Sequence, residues 1–114
     1  MDQLPRILVV TIIVDGEDHA LRMAETLVLE RLCASANVQS AHTSYRWEDG
    51  ELIVYREHAI RAVTVPQRFE ALCERVSALP GIVLPGVTAA ATEAVHPLFE
   101  PWIRQVFQAC RADG

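Results

Sequence analysis

Lysine is absent from this chain: all ten basic residues are arginine. That excludes Schiff-base chemistry and a phosphate-binding loop built on lysine. Glycine is scarce as well, five residues with no cluster, so no glycine-rich cradle for phosphates is present. The three cysteines, Cys33, Cys73 and Cys110, are widely separated and odd in number, which does not describe a secreted disulfide framework. No Cys-x-x-Cys, His-x-His or His-x-x-x-His spacing places two metal ligands on one face. Met1 to Arg6 form no basic leader ahead of an apolar core, and Ile7 to Val14 is a run of strand length rather than membrane length. A soluble cytoplasmic protein with reduced thiols and no membrane partner is expected. A net charge of −5 argues against nucleic acid, whose binding needs a basic face. With no Ser-His-Asp or Cys-His arrangement, and with Asp15-Gly16-Glu17-Asp18 too short for a calcium loop, the chain is expected not to be an enzyme.

What is present fits one domain over residues 1–114, 51% hydrophobic and long enough to bury its own core. Arg6 to Val14 reads as a β-branched strand. The acidic Asp15-Gly16-Glu17-Asp18 turn then opens a helix expected over about Asp18 to Ala34, with Leu21, Ala24, Leu27, Val28, Arg31 and Leu32 on one face. Two extended runs follow, Val38 to Trp47 and Glu51 to Val65, meeting at Asp49-Gly50, a strong hairpin signal. Pro66 suits the first turn of a second helix carrying Phe69, Leu72, Cys73 and Val76. Leu79-Pro80-Gly81 stops it. Ile82 to Val87 reads as a short strand broken by Pro85-Gly86, and Glu93 to Arg111 as a terminal helix made irregular by Pro97 and Pro101.

The order β-α-β-β-α-β plus a helix predicts an α+β, ferredoxin-like (split β-α-β) sandwich: one antiparallel sheet, helices on a single face, a long hairpin and a C-terminal helix. Ribbons of about ten residues reach beyond the core of so small a domain. The tip must wave in solvent or pack on another chain, and oligomerisation is the economical solution.

The residues also carry a resemblance. Leu32-Cys33-Ala34-Ser35-Ala36-Asn37-Val38, then Ser44-Tyr45-Arg46-Trp47-Glu48 with Gly50, then Glu57, Thr64, Pro80, Pro85 and Trp102 resemble the CutA family of divalent-cation tolerance proteins over nearly the whole chain. The resemblance implies a homotrimer of ferredoxin-like subunits, similar in architecture to the nitrogen-signalling PII proteins, and a link to Cu(II) and other divalent cations. The chain departs from the family pattern in several places. Ser35 stands where the family cysteine is usual, Val63-Thr64 replaces Lys-Thr, and Leu79 to Gly86 lacks the His, Tyr and Glu of the family's His-Pro-Tyr-x-x-Pro-Glu segment.

Candidate groups concentrate in the hairpin. Folding at Asp49-Gly50 sets His42 and His58 about eight residues either side of the turn, near enough to be neighbours. With Glu57 they form the candidate metal set, a third strong ligand coming from the trimer axis. Scattered, partly exposed histidines are the ordinary alternative. Glu48 and Glu57 either bind a cation or form register and interface ion pairs. Tyr45 and Trp47 either stack a planar ligand or anchor a subunit interface, and with Glu48, Thr64 and Trp102 they make up the expected interface and cleft set. Phe99 and Trp102 are expected to pair in the core. Cys33 and Cys73 are expected to pack on helical apolar stripes, and Cys110 to be exposed and oxidisable. Three readings stay open: a trimer of metal tolerance with weak copper binding, a PII-like regulatory trimer holding a small molecule or partner protein in its intersubunit clefts, and an interaction trimer that has lost its ligand.

Overall fold

The computed structural model describes residues 6–113, without the side chains of 83–85 and 109–113. The expectation for the Cys110 thiol therefore lies outside what is described. The elements run β1 (Leu8–Val14), α1 (Glu17–Leu29), β2 (Ser35–Val38), β3 (His42–Glu48), β4 (Glu51–Thr64), α2 (Pro66–Ala78), β5 (Ile82–Ala91) and α3 (Phe99–Asp113). Every strand pair is antiparallel. The sheet order is β2-β4-β1-β5, and β3 pairs with the outer half of β4. β2 and β3 thus act as two halves of one long strand running along β4. This is the ferredoxin-like arrangement the element order predicted.

The core follows from the strand period of two. Val10, Ile12 and Val14 of β1 and Ile60 and Ala62 of β4 point to one face, where Ala20, Met23, Ala24 and Leu27 of α1 and Leu72 and Val76 of α2 cover them. Each large side chain so buried contributes about 1.5–3 kcal/mol. Arg75 joins the two helices by donating two hydrogen bonds of 2.9 Å to Glu30. The other sheet face is covered only at one end. There Ile103 and Phe107 of α3 pack with Ile7, Ala34 and Val65 and against Val63, so the helices do not all lie on a single face as expected.

Several boundaries differ from the sequence reading, and the single extended run expected over Val38 to Trp47 is two strands, Ser35–Val38 and His42–Glu48. α1 ends at Leu29 rather than Ala34 because Arg31 enters the left-handed region at φ 56°. Its N–H reaches the Val28 carbonyl while that of Leu32 reaches Leu27, the paired bonds of a Schellman stop. Cys33 and Ser35 are consequently off the helix, Cys33 in the buried turn and Ser35 opening β2. The buried stripe of α1 is also shifted: Leu21 and Val28, expected inside, are exposed. β5 continues to Ala91, its register with β1 slipping between Ile12 and Val14, opposite the stretch that holds Pro85-Gly86. α3 starts only at Phe99, and no described helix is long and apolar enough to cross a membrane.

Candidate functional site: the hairpin arm

The outer half of β4 and β3 form an arm turned by Asp49 and Gly50 at φ 52° and 78°, both left-handed as a two-residue type I′ turn requires. Glu48 opposes Glu51, and the register runs back without a slip to His42 opposite Glu57. Directly opposed residues share a face. One face therefore carries His42, Ser44, Arg46, Glu48, Ile53, Tyr55 and Glu57, and the other Thr43, Tyr45, Trp47, Leu52, Val54, Arg56 and His58.

The first face is a connected polar ladder. Glu57 is only 2% exposed, and Arg46 donates to both of its oxygens at 2.8 Å. To span the strand, the arginine lies across the Tyr55 ring, 4.2 Å from its centroid. The Tyr55 hydroxyl donates to Glu48 at 2.7 Å, and Glu48 also sits 3.8 Å from Arg46 Nε. That Nε is buried and has no hydrogen-bond partner among the described residues. The guanidinium holds the Glu57 carboxyl down at about 2, overcoming the opposing effect of burial, with a hydrogen bond from Ser44 and the His42 ring assisting. The hydrogen bond to Glu48 pushes the Tyr55 phenol up. His42 Nε2 stands 3.8 Å from Glu57 Oε1.

The second face is apolar and open. Tyr45 is 68% exposed and Trp47 76%, flanked by Leu52 and Val54, each more than half exposed. Its basic members are Arg56, which donates to Thr43, and His58, whose Nδ1 donates to the Gln39 carbonyl at 3.1 Å.

The candidate metal set is thus divided within one chain. His42 and Glu57 share a face, His58 points from the opposite one, and both Glu57 oxygens are engaged by Arg46. No group of three or more His, Cys, Asp or Glu side chains suited to a metal ion occurs among the described residues. Of the interface set, Tyr45 and Trp47 lie on the open apolar face and Glu48 on the polar ladder. Thr64 is instead fully buried, its hydroxyl donating to the Leu32 carbonyl at 2.7 Å; it braces the turn after α1 and reaches no cleft surface. Trp102 stacks on Phe99, ring centroids 5.8 Å apart, but the two are 45% and 44% exposed, a surface pair rather than core. Burial pushes the Cys33 thiol up to about 12, so it is an inert packing group.

Sequence reasoning missed Arg46, Tyr55, Leu52, Val54 and Leu98. Counting back from Asp49-Gly50 by twos puts Arg46, Tyr55 and Glu57 on one face, a signal that was available.

Fold and arm together define an antiparallel ferredoxin-like domain with a projecting, two-faced ribbon. Residues 8–106 match the family model described as CutA1 divalent ion tolerance protein. The divalent-cation tolerance protein CutA of Thermus thermophilus is 35% identical over 98 residues, 85% of this chain and 94% of its own length. Among solved structures, the divalent cation tolerance protein (Cut A1) from Thermus thermophilus superposes with a TM-score of 0.82 at 32% identity, covering 87% of this chain and 96% of that one. CutA1 from Oryza sativa shares the fold, with a TM-score of 0.85 at 22% identity over 90% and 94% of the two chains. The chain belongs to the CutA1 divalent ion tolerance family.

Proposed function

We propose that this chain is the subunit of a cytoplasmic homotrimer that acts in tolerance of divalent metal ions and binds Cu(II) weakly at the hairpin. The observation that carries the reading is the open face of Tyr45, Trp47, Leu52 and Val54. An exposed apolar ribbon of this kind is covered in solution by another copy. The tolerance role rests on the descriptions of the matching family and of the Thermus relative. Within the hairpin, His42 is the imidazole beside an ionised carboxylate, and copies meeting around an axis would add the further donors a copper site needs.

A specific observation favours a second reading, a PII-like regulatory trimer whose intersubunit clefts hold a small molecule or partner protein. Glu57 already gives both oxygens to Arg46, which leaves His42 without a free carboxylate beside it. Calorimetric titration of metal-stripped protein with Cu(II) and Zn(II) separates the two. Saturable copper heat that disappears in His42→Ala supports the metal role. An oligomer that takes up neither ion contradicts it and leaves the regulatory reading.

A further inference from the structure

The sheet face away from α1 and α2 is covered by α3 at one end only. Between that end and the hairpin, one row of polar residues crosses the sheet through β2, β4, β1 and β5. Asn37 opposes Arg61, Arg61 opposes Thr11, and Thr11 opposes Thr88. Directly opposed residues share a face. Arg61 and Thr11 alternate with the buried Ile60, Ala62, Val10 and Ile12, so the row stands on the uncovered side. At about 4.8 Å between strands it is about 14 Å wide. The small side chains of Ala59 and Ala90 leave a hollow of about 490 Å³ here, lined also by Thr11, Gln39, Arg61 and Thr88. Arg61 is exposed and makes no hydrogen bond or ion pair among the described residues. No counter-ion is built in beside it: β1, β2, β5 and the Ala59–Thr64 stretch of β4 contain no Asp or Glu. Back along β4 the nearest carboxylate, Glu57, is about 13 Å away and already held by Arg46.

We infer that this row binds a small oxyanion, a phosphate or a carboxylate group, with the Arg61 guanidinium as its charged anchor. A guanidinium presents a fork of donors matched to two oxygens of such a group. The Thr11 and Thr88 hydroxyls and the Gln39 amide add neutral donors around the same hollow, and none of its lining residues is acidic. Its volume falls in the range of small-molecule sites, so an organic molecule carrying the anionic group fits there. The net charge of −5 does little against this, because charges farther than about 8 Å are largely screened at physiological ionic strength. The site is complete within one chain and does not rest on the oligomeric reading. Where copies meet over this face, burial raises the cost of leaving each guanidinium unpaired, which favours the anion further.

The test is thermal unfolding of protein dialysed free of multivalent anions, then measured in sodium phosphate, sodium succinate or sodium chloride at one pH and one ionic strength. Phosphate also stabilises proteins in general by exclusion from their surface, so the reading comes from variants shown to be folded by circular dichroism. The midpoint of the unaltered chain is expected to rise over chloride by about 5 °C, the scale for a ligand at about ten times its Kd. A rise in phosphate alone assigns the site to a phosphate group, and one in succinate alone to a carboxylate. Arg61→Gln should lose most of the rise. Arg22→Gln removes an exposed arginine of α1 instead and should keep it. No rise with either oxyanion, an equal rise in Arg61→Gln, or an equal loss in Arg22→Gln overturns the site.

Discussion

Arg46 and Glu57 are joined by two parallel hydrogen bonds of 2.8 Å although 11 residues separate them in sequence. The arginine reaches its partner by lying flat over Tyr55, so one side chain stitches three positions of the hairpin. A forked guanidinium on a carboxylate fixes orientation as well as distance. The arm is in this way stiffened on its polar face while its apolar face stays free to meet another surface.

Removing the carboxylate should loosen the arm. Glu57→Ala removes both short hydrogen bonds of the partly buried guanidinium and leaves it only Glu48 at 3.8 Å, and the expected loss is about 2 kcal/mol, the scale for removing the partner of a charged group that keeps some water. Urea unfolding of the variant and the unaltered chain measures it. An unchanged midpoint would show that the pair contributes nothing.

The same pair sets an acid dependence. The Glu57 carboxyl is depressed to about 2 in the folded protein, below the value near 4.3 expected when unfolded. Its contribution is therefore complete above that unfolded value and disappears as pH falls towards 2. Urea midpoints between pH 6 and pH 2.5 should decline less steeply in Glu57→Gln than in the unaltered chain. Parallel curves would assign the acid sensitivity to other groups.

Thr64 offers a single-atom test inside the domain. Thr64→Val keeps the shape but strands the Leu32 carbonyl, with an expected cost of about 1–2 kcal/mol. Thr64→Ser retains the hydroxyl and should recover part of it. If valine and threonine are equally stable by thermal unfolding, the hydrogen bond does not brace the turn.

Two glycines should respond differently to alanine. Gly81 has φ +101°, and a Cβ there would come 2.5 Å from His19 Cβ, so Gly81→Ala combines backbone strain with a clash and should cost at least about 2 kcal/mol. Gly50 has φ +78° and open space around it, leaving only the backbone penalty of about 1 kcal/mol. Thermal unfolding of the two variants should rank them in that order.

The parts of the fold legible in the sequence were those with local signals. Asp49-Gly50 declared the turn, and the β-branched runs declared β1 and β4. The end of α1 was hidden because Arg31 takes the left-handed stop normally marked by glycine, while the apolar period continues through Leu32. Phe99 and Trp102 look like core by composition, yet among the described side chains of α3 it is Ile103, Phe107 and, in part, Val106 that pack on the interior. At the arm, the turn led to the expectation that His42 and His58 would be neighbours, but the register sets His42 opposite Glu57 and His58 points from the other face. The commitment of Glu57 to Arg46 did not follow from the turn, because it depends on a long side chain crossing four positions along a strand. Thr64 fitted the family pattern but serves the interior, a role visible only once Leu32 is seen opposite it.

The most direct test of the central claim, that the projecting apolar hairpin exists to be covered by other copies of this chain, is the molar mass of the purified protein by light scattering. Three copies of a 12.7 kDa chain predict about 38 kDa for a closed ring of three. A monodisperse species at the mass of one chain would contradict the account.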